Sequence, residues 1–174
     1  ITVANGTLGS MTSSDNITWT GTFTPTADTE DSSNILTLDG SYTDPAGNAG
    51  PAATTANYAV DTLAPGVSSF TLSDVALKAG DSATVSLVFT EEVSDFSSDD
   101  ITVANGTLGS MTSSDNITWI GTFTPTADTE DSTNILTLDG SYTDPAGNTG
   151  PTATTANYAV DTTPPFITLI GDAT

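Results

Sequence analysis

The sequence predicts an all-β protein made of antiparallel β-sandwich repeats that are arranged end to end. Apolar and polar residues alternate over many short stretches, and no stretch shows helical periodicity. Turn-forming residues recur roughly every 8–12 positions, which is typical of a sandwich. Residues 1–62 return as 101–162, with differences only at Thr20/Ile120, Ser33/Thr133, Ala49/Thr149 and Ala52/Thr152.

The repeat and its proline-rich connectors define the predicted domain boundaries. Prolines follow the Val-Asp-Thr sequences at 60–62 and 160–162, and proline restricts itself and the preceding residue to extended backbone. We expect residues 1–62 to be the C-terminal part of a repeat (strands C to G) and residues 63–162 to be a complete repeat. Residues 163–174 then form a connector and the first strand of a different domain. Near-identical tandem copies favour a spacer over a catalyst.

Seven strands are predicted in the complete repeat. Alternation places Val85, Leu87 and Phe89 on one face of a strand. It places Trp119 and Phe123 on one face of another. Seven short strands in a domain of this size indicate an Ig-like sandwich. The predicted strands are 66–73 (A), 82–90 (B), 100–105 (C), 107–112 (D), 116–124 (E), 134–143 (F) and 153–161 (G).

The composition removes several classes of function. The chain has 174 residues, 22 acidic side chains, a single base, Lys78, and a formal net charge of −21, with neither histidine nor cysteine. Like-charge repulsion argues against nucleic acid and anionic lipid as partners. The lack of His and Cys excludes their catalytic triads, disulfides and zinc or haem sites. The longest apolar runs, such as 85–89, are too short for membrane insertion, and the first residues show no secretory signal.

The remaining ligand chemistry is that of oxygen, which suits calcium. In the predicted sandwich the connector, the B–C loop and the F–G loop share one end, so their acidic residues converge there. The favoured calcium ligands are Asp61, Glu91 and Asp144, and Gly147 permits a sharp bend in the F–G loop. A solvated acidic surface is the alternative interpretation of these residues. Other candidates are Glu92, Asp95, Asp99, Asp100 and Asn148 at this end, and Asp28, Glu30 and Asp31 at the other end of the first fragment.

Four short sequences carry a family resemblance. They are FTEEV at 89–93, DDITV at 99–103, YTDPAGN at 142–148 and VDT at 160–162. Together they resemble the bacterial Ig-like repeats of giant RTX-type surface adhesins, and the resemblance covers residues 1–162. It implies extender modules of biofilm adhesins that are secreted by a type I system to the bacterial cell surface. It also implies Ca²⁺ near domain junctions, where the ion stiffens the rod.

The resemblance also implies partners and ligands. The partners are neighbouring Ig-like repeats of the same chain, and a host or abiotic surface that other domains of the full protein reach. The tail from Phe166 resembles the opening strand of another bacterial Ig-like class. The resemblance implies calcium ligands at Asp61, Glu91, Asp99, Asp144, Asn148 and Asp74, and the candidate set is completed by the neighbouring Asp100 and by Asp44, Asn48 and Asp161, which are repeat equivalents.

Three other interpretations were weighed against the sequence: an adhesive module, an enzyme and a domain with an isopeptide bond. Outward-facing Thr118, Thr122 and Thr124 suit an adhesive module that binds carbohydrate or ice. An enzyme would have to be a carboxylate-pair hydrolase, but the acids lie in loops without an aromatic-lined cleft, so we expect no enzyme. An intramolecular isopeptide bond would need a buried lysine, whereas Lys78 lies in the predicted turn 77–81.

Overall fold

The computed structural model describes residues 1–170 and confirms the all-β, Ig-like sandwich class. The chain divides into two compact units, Ile1–Ala64 (unit 1) and Pro65–Thr174 (unit 2). Within the described residues, no helix has the length and apolar character needed to cross a membrane.

Unit 1 contains three two-stranded antiparallel sheets. Their register pairs Leu8 with Phe23, Asp31 with Val60, and Leu38 with Ala53. The strands are β1 (Gly6–Leu8) with β2 (Phe23–Pro25), β3 (Glu30–Asn34) with β6 (Tyr58–Asp61), and β4 (Thr37–Leu38) with β5 (Ala53–Thr54).

Unit 2 forms a sandwich of one four-stranded sheet and two three-stranded sheets. The four-stranded sheet has the order β11-β12-β9-β7, and the others have the orders β10-β14-β15 and β13-β16-β8. All strand pairs are antiparallel except β16 with β8. The strands are β7 (Val67–Leu72), β8 (Ala76–Lys78), β9 (Ala83–Phe89), β10 (Ile101–Val103), β11 (Gly106–Leu108), β12 (Thr118–Pro125), β13 (Glu130–Asn134), β14 (Leu136–Leu138), β15 (Ala153–Thr154) and β16 (Tyr158–Asp161), and a 3-10 helix covers Ser98–Asp100.

Polar side chains separate the two three-stranded sheets. The backbone N–H of Asn134 donates to Asn157 Oδ1 at 3.0 Å, and that of Leu136 donates to Thr155 Oγ1 at 3.1 Å. Side-chain oxygens thus replace backbone acceptors between β13 and β14, which keeps the buried N–H groups satisfied. The ladder therefore divides there without leaving these donors unpaired.

Aromatic rings pack against one another in the core of unit 2. The Phe89 ring lies 4.9 Å from that of Tyr142, and the Phe96 ring lies 4.9 Å from that of Trp119. Trp119 is only half-buried, and the neighbouring Ile120, whose side chain lies on the opposite face of the strand, is exposed. The most deeply buried apolar side chains are Leu77, Val85, Leu87, Phe89, Phe123, Leu136, Leu138, Tyr142, Tyr158 and Val160.

The structure corrects the predicted strands at β8, at β13 and in predicted strands F and G. β8 was not predicted, because a three-residue strand is too short to show alternation. β13 lies in the predicted E–F loop, because its sequence EDSTN buries only Asn134. Predicted strand F is paired only at 136–138 beyond β13, and predicted strand G is divided between β15 and β16.

Unit 1 shows the same sequence without a counterpart of β7 to β9. Strand β12 has eight residues, paired with β9 along Thr118–Phe123, whereas β2 has three. The two segments differ only at position 20/120. Pairing with a neighbouring strand therefore sets the length of this strand, more than local propensity does.

The end of the chain has no regular structure in the described part. Residues 163–170 form no strand, and Phe166 and Ile170 are about nine-tenths exposed, at 90% and 92%. A single strand has no partner here to complete its backbone hydrogen bonds. Residues 171–174 lie outside the described residues, so the opening strand predicted in 163–174 stays a prediction.

Candidate metal centre

A tight turn presents Asp144. The backbone N–H of Asp144 donates to the Asn148 carbonyl, and that of Gly147, with φ of +94°, donates to the Asp144 carbonyl, both at 3.1 Å. Asp144 Oδ1 accepts from the N–H groups of Ala146 and Asn148 at 2.9 Å, and Oδ2 accepts from Asn148 Nδ2 at 2.7 Å. The Asp-Pro-Ala-Gly-Asn sequence thus forms a turn in which the carboxylate itself accepts the hydrogen bonds.

A backbone bridge brings this turn beside the chain that follows β9. The N–H of Ser94 donates to the Thr143 carbonyl at 2.6 Å, and the reverse bond is 3.3 Å. Glu91 precedes this bridge and Asp144 follows it. Their carboxylate oxygens come within 4.8 Å of one another, with Glu91 half-buried and Asp144 1% exposed. The structure therefore brings together two of the predicted ligands within unit 2.

The hydrogen bonds around Asp144 keep its carboxyl group charged. Burial acts to raise the pKa of Asp144, but hydrogen bonds from the Asn148 side chain and the turn backbone outweigh it and hold that pKa below 3.8. Asp144 is therefore ionised at neutral pH, beside a second acid. The only base of the chain, Lys78, donates to Asp81 at 2.8 Å. That base is therefore already engaged by another acid.

Unit 1 contains the same turn in a different environment. Asp44 accepts from Ala46 N at 2.9 Å and from Asn48 N and Nδ2 at 2.8 Å, yet Asp44 is exposed. Hydrogen bonds from Asn48 lower its pKa. The turn therefore forms from local sequence alone, whereas burial of the carboxylate depends on the surrounding strands.

Asp74, Asp99, Asp100 and Asp161 lie in local arrangements of their own. Asp74 Oδ1 accepts from Ala76 N at 3.0 Å before β8. Asp99 is exposed, and Asp100 closes a capping box by accepting from Ser97 N at 2.7 Å. Their roles as calcium ligands stay predictions. Asp61 ends β6 in unit 1 and accepts from Leu63 N at 3.3 Å, and Asp161 ends β16 and accepts from Thr163 N at 3.3 Å.

A buried amide network escaped the sequence analysis. Asn105 Nδ2 donates to Asp131 Oδ2 at 2.9 Å and to Asn134 Oδ1 at 2.7 Å, and Asn134 is 2% exposed. Unit 1 repeats the network: Asn5 Nδ2 donates to Asp31 Oδ2 and to Asn34 Oδ1, both at 2.8 Å. The Asn-Gly turn signal was present, but nothing in the sequence joined it to residues 26 to 29 positions away. The network links the residue before β11 to strand β13.

Comparison with known proteins identifies a family. The sequence profile described as bacterial Ig-like domain matches residues 1–60 and 61–160. No curated protein and no solved structure matches the chain.

Proposed function

Because the chain belongs to the family of bacterial Ig-like domains, we propose that it is a structural extender module of a large secreted RTX-type adhesin. Domains of this family commonly occur in surface or extracellular proteins and are typically structural modules rather than enzymes. In this proposal the module lies outside the bacterial cell, follows type I secretion, and projects a distal binding domain that contacts a host or abiotic surface in a biofilm.

Calcium binding at Glu91 and Asp144 is the finer part of the proposal. The observation that supports it is the approach of these two carboxylates in a chain with a single base that is already paired. Ca²⁺ binds oxygen from carboxylates, amides and backbone carbonyls, and flexible coordination suits a site of this kind. Binding removes the repulsion between the two acids, so the ion stabilises the folded unit.

Asp61 is proposed to contribute a third carboxylate from the connector. It precedes Pro65 by four residues, so the chain tethers it to the start of unit 2. An ion held by residues from both sides of the connector restricts the freedom of that connector. This restriction is the proposed origin of a calcium-stiffened rod.

The test is calorimetry and small-angle scattering on the 174-residue chain, with calcium and with chelator. A ligand that binds only the folded state stabilises it by about 2.7 kcal/mol at a hundredfold excess over Kd. We expect calcium to raise the melting temperature. We also expect it to narrow the range of molecular dimensions that small-angle scattering measures. Identical melting and scattering in both conditions would mean that the acids form only a solvated surface.

Matched variants separate ion binding from turn formation. Glu91→Gln keeps the volume and removes the charge, so it should abolish the calcium response while the apo melting temperature stays the same or rises. Asp44→Asn changes the exposed equivalent of Asp144 and should leave the calcium response of unit 2 intact. An equal calcium response in wild type and Glu91→Gln would refute this site.

A threonine-rich strand face supports a second candidate, a carbohydrate-binding adhesive module. Thr122 pairs with Thr84, and Thr124 pairs with Thr107, and all four side chains are exposed. They form a row of hydroxyl and methyl groups across three strands of one sheet. A glycan array with the 174-residue chain tests this function, and binding that a Thr122→Val/Thr124→Val variant loses would support it over a purely structural role.

A further inference from the structure

An asparagine–glycine pair stands at the start of β11, and the fold needs both of its residues. Asn105 has the left-handed φ of +49°, and its Nδ2 donates to Asp131 Oδ2 at 2.9 Å and to Asn134 Oδ1 at 2.7 Å. A Cβ atom at Gly106 would overlap the Phe123 ring. Exchange of either residue therefore loses the amide network or creates a clash in the core.

This pair is also chemically labile, because glycine has no side chain to hinder attack by its own backbone nitrogen. The Gly106 nitrogen attacks Asn105 Cγ, a new N–Cγ bond closes a five-membered imide, and the Cγ–Nδ2 bond breaks. The proton of the Gly106 N–H passes through solvent to the departing amide group, which leaves as ammonia. Water then adds across one C–N bond of the imide. Opening at Cγ gives aspartate, and opening at the backbone carbonyl gives isoaspartate.

The folded repeat restrains every atom that this reaction has to move. Closing the imide displaces Cγ and releases Nδ2, so both hydrogen bonds of the Asn105 amide must break first. On the backbone, the Asn105 carbonyl accepts from Thr126 N at 3.0 Å, and Gly106 is paired with Pro125 in the ladder of β11 with β12. Deamidation of position 105 therefore requires local opening of the repeat.

The product of deamidation does not fit the network. Asp131 Oδ1 accepts from Thr133 N at 2.8 Å, and Asn134 Nδ2 donates to the carbonyls of Asp131 and Tyr158 at 3.0 and 3.2 Å. These bonds fix Asn134 with its side-chain oxygen toward position 105. A carboxylate at 105 would face another carboxylate and an amide oxygen, with no donor between them. Isoaspartate would also lengthen the backbone before β11.

We propose that Asn105 is a modification site that deamidates when the repeat opens, and that the product prevents the repeat from regaining its native stability. Time spent unfolded is thereby recorded as a permanent covalent change. Unit 1 repeats the arrangement, since Asn5 makes the same two hydrogen bonds at 2.8 Å and a Cβ atom at Gly6 would overlap the Phe23 ring. The proposal is independent of calcium binding and of the adhesin role.

The first experiment compares the folded 174-residue chain with a synthetic peptide of residues 100–114 in the same neutral buffer. Cleavage before aspartate releases residues 100–114 from the chain, and Asp100 distinguishes this fragment from the otherwise identical residues 1–14. Mass spectrometry measures the fraction in which the side-chain amide has become a carboxyl group. We expect the folded chain to react at least about 10-fold more slowly, because it must open first. Urea should raise its rate to that of the peptide, and equal rates for peptide and folded chain would overturn the proposal.

The second experiment tests the product by urea denaturation. Asn105→Asp should shift the unfolding midpoint to lower urea. Adding Asp131→Asn to that variant should recover part of the shift, because an amide at position 131 can donate to the new carboxylate. Asn116→Asp is the matched control, since Asn116 is exposed and has a similar φ of +55°. A wild-type midpoint for Asn105→Asp, or an equal shift in Asn116→Asp, would overturn the proposal.

A refolding experiment on the wild-type chain links the two steps. One sample stays in urea until position 105 is converted, and the other is returned to buffer at once. Only the second sample should regain the original hydrogen-exchange protection at β11 and β12. Full protection in both samples, with position 105 converted in the first, would show that the product is tolerated and would overturn the proposal.

Discussion

Tyr142 and Tyr42 occupy the same position of the repeat, yet only Tyr142 is fully buried. Both hydroxyls donate to a proline carbonyl, that of Pro151 at 2.8 Å and that of Pro51 at 3.1 Å. A Cβ atom at Gly150 would overlap the Tyr142 ring, so glycine is required beneath it. The same tyrosine-to-proline hydrogen bond forms in both units. Burial of the tyrosine ring, however, should stabilise unit 2 more than unit 1.

Truncating the two tyrosines should therefore give unequal losses. Tyr142→Ala should destabilise unit 2 by about 3–5 kcal/mol, since it empties a space in a closed core. Tyr42→Ala should change unit 1 by no more than about 0.5 kcal/mol, as is usual at exposed positions. Hydrogen exchange at β9 and β3 reports the two units separately, and equal effects would contradict the assigned burial.

Asn105 combines a left-handed backbone, with φ of +49°, and two side-chain hydrogen bonds. Asn105→Ala should cost about 2–3 kcal/mol, because it loses both bonds and places Ala in the left-handed region. Asn105→Gly should recover about 1 kcal/mol of this, since glycine adopts positive φ freely. Urea denaturation measures both variants, and equal losses would show that backbone strain is negligible here.

The turn before β12, which contains Asp115, should lose stability in acid. Backbone N–H groups of Thr118 and Ile117 and the Ser113 hydroxyl lower its pKa from 3.8 to about 2. A lowered folded-state pKa means that this contribution to stability is present above about pH 4 and is lost as pH falls through about 2. In denaturation experiments, Asp115→Asn should lose less stability than the wild type across that pH range. Titration of the Asp115 carboxyl group near pH 3.8, measured by NMR, would contradict the turn geometry.

Leu77 closes the core from the short strand β8. It is 1% exposed, whereas the nearby Val75 is 50% exposed. Leu77→Ala should cost about 2–5 kcal/mol, and Val75→Ala should cost no more than about 0.5 kcal/mol. Calorimetry of the two variants shows whether β8 is an integral part of the sandwich, and a neutral Leu77→Ala would place β8 outside the core.

Alternation predicted the long strands because their inner faces are uniformly apolar. Val85, Leu87 and Phe123 lie inside as expected, and Ile120 lies outside. β13 was missed because its single buried residue, Asn134, is polar and is satisfied by partners distant in sequence. No local signal identifies such a position.

The residues of the candidate site were predicted from their chemical type. Only the turn around Asp144 could be predicted from the local sequence. The turn around Asp144 is encoded locally, since the identical sequence around Asp44 folds in the same way. Its burial is not, because Asp44 is exposed. Proximity to Glu91 depends on the Ser94–Thr143 bridge, which joins segments about fifty residues apart and leaves no pattern in the sequence.

The parallel pairing of β8 with β16 has a consequence for a chain under tension. Ala76, Leu77 and Lys78 pair with Ala159, Val160 and Asp161, and the two strands run in the same direction. When the two ends of unit 2 are pulled apart, β8 is pulled toward the N-terminus of the chain and β16 toward the C-terminus. The force on the pair therefore acts along the strands, in opposite directions. The hydrogen bonds are then loaded together in shear and must break at once, whereas a hairpin pulled from its open end unzips one bond at a time.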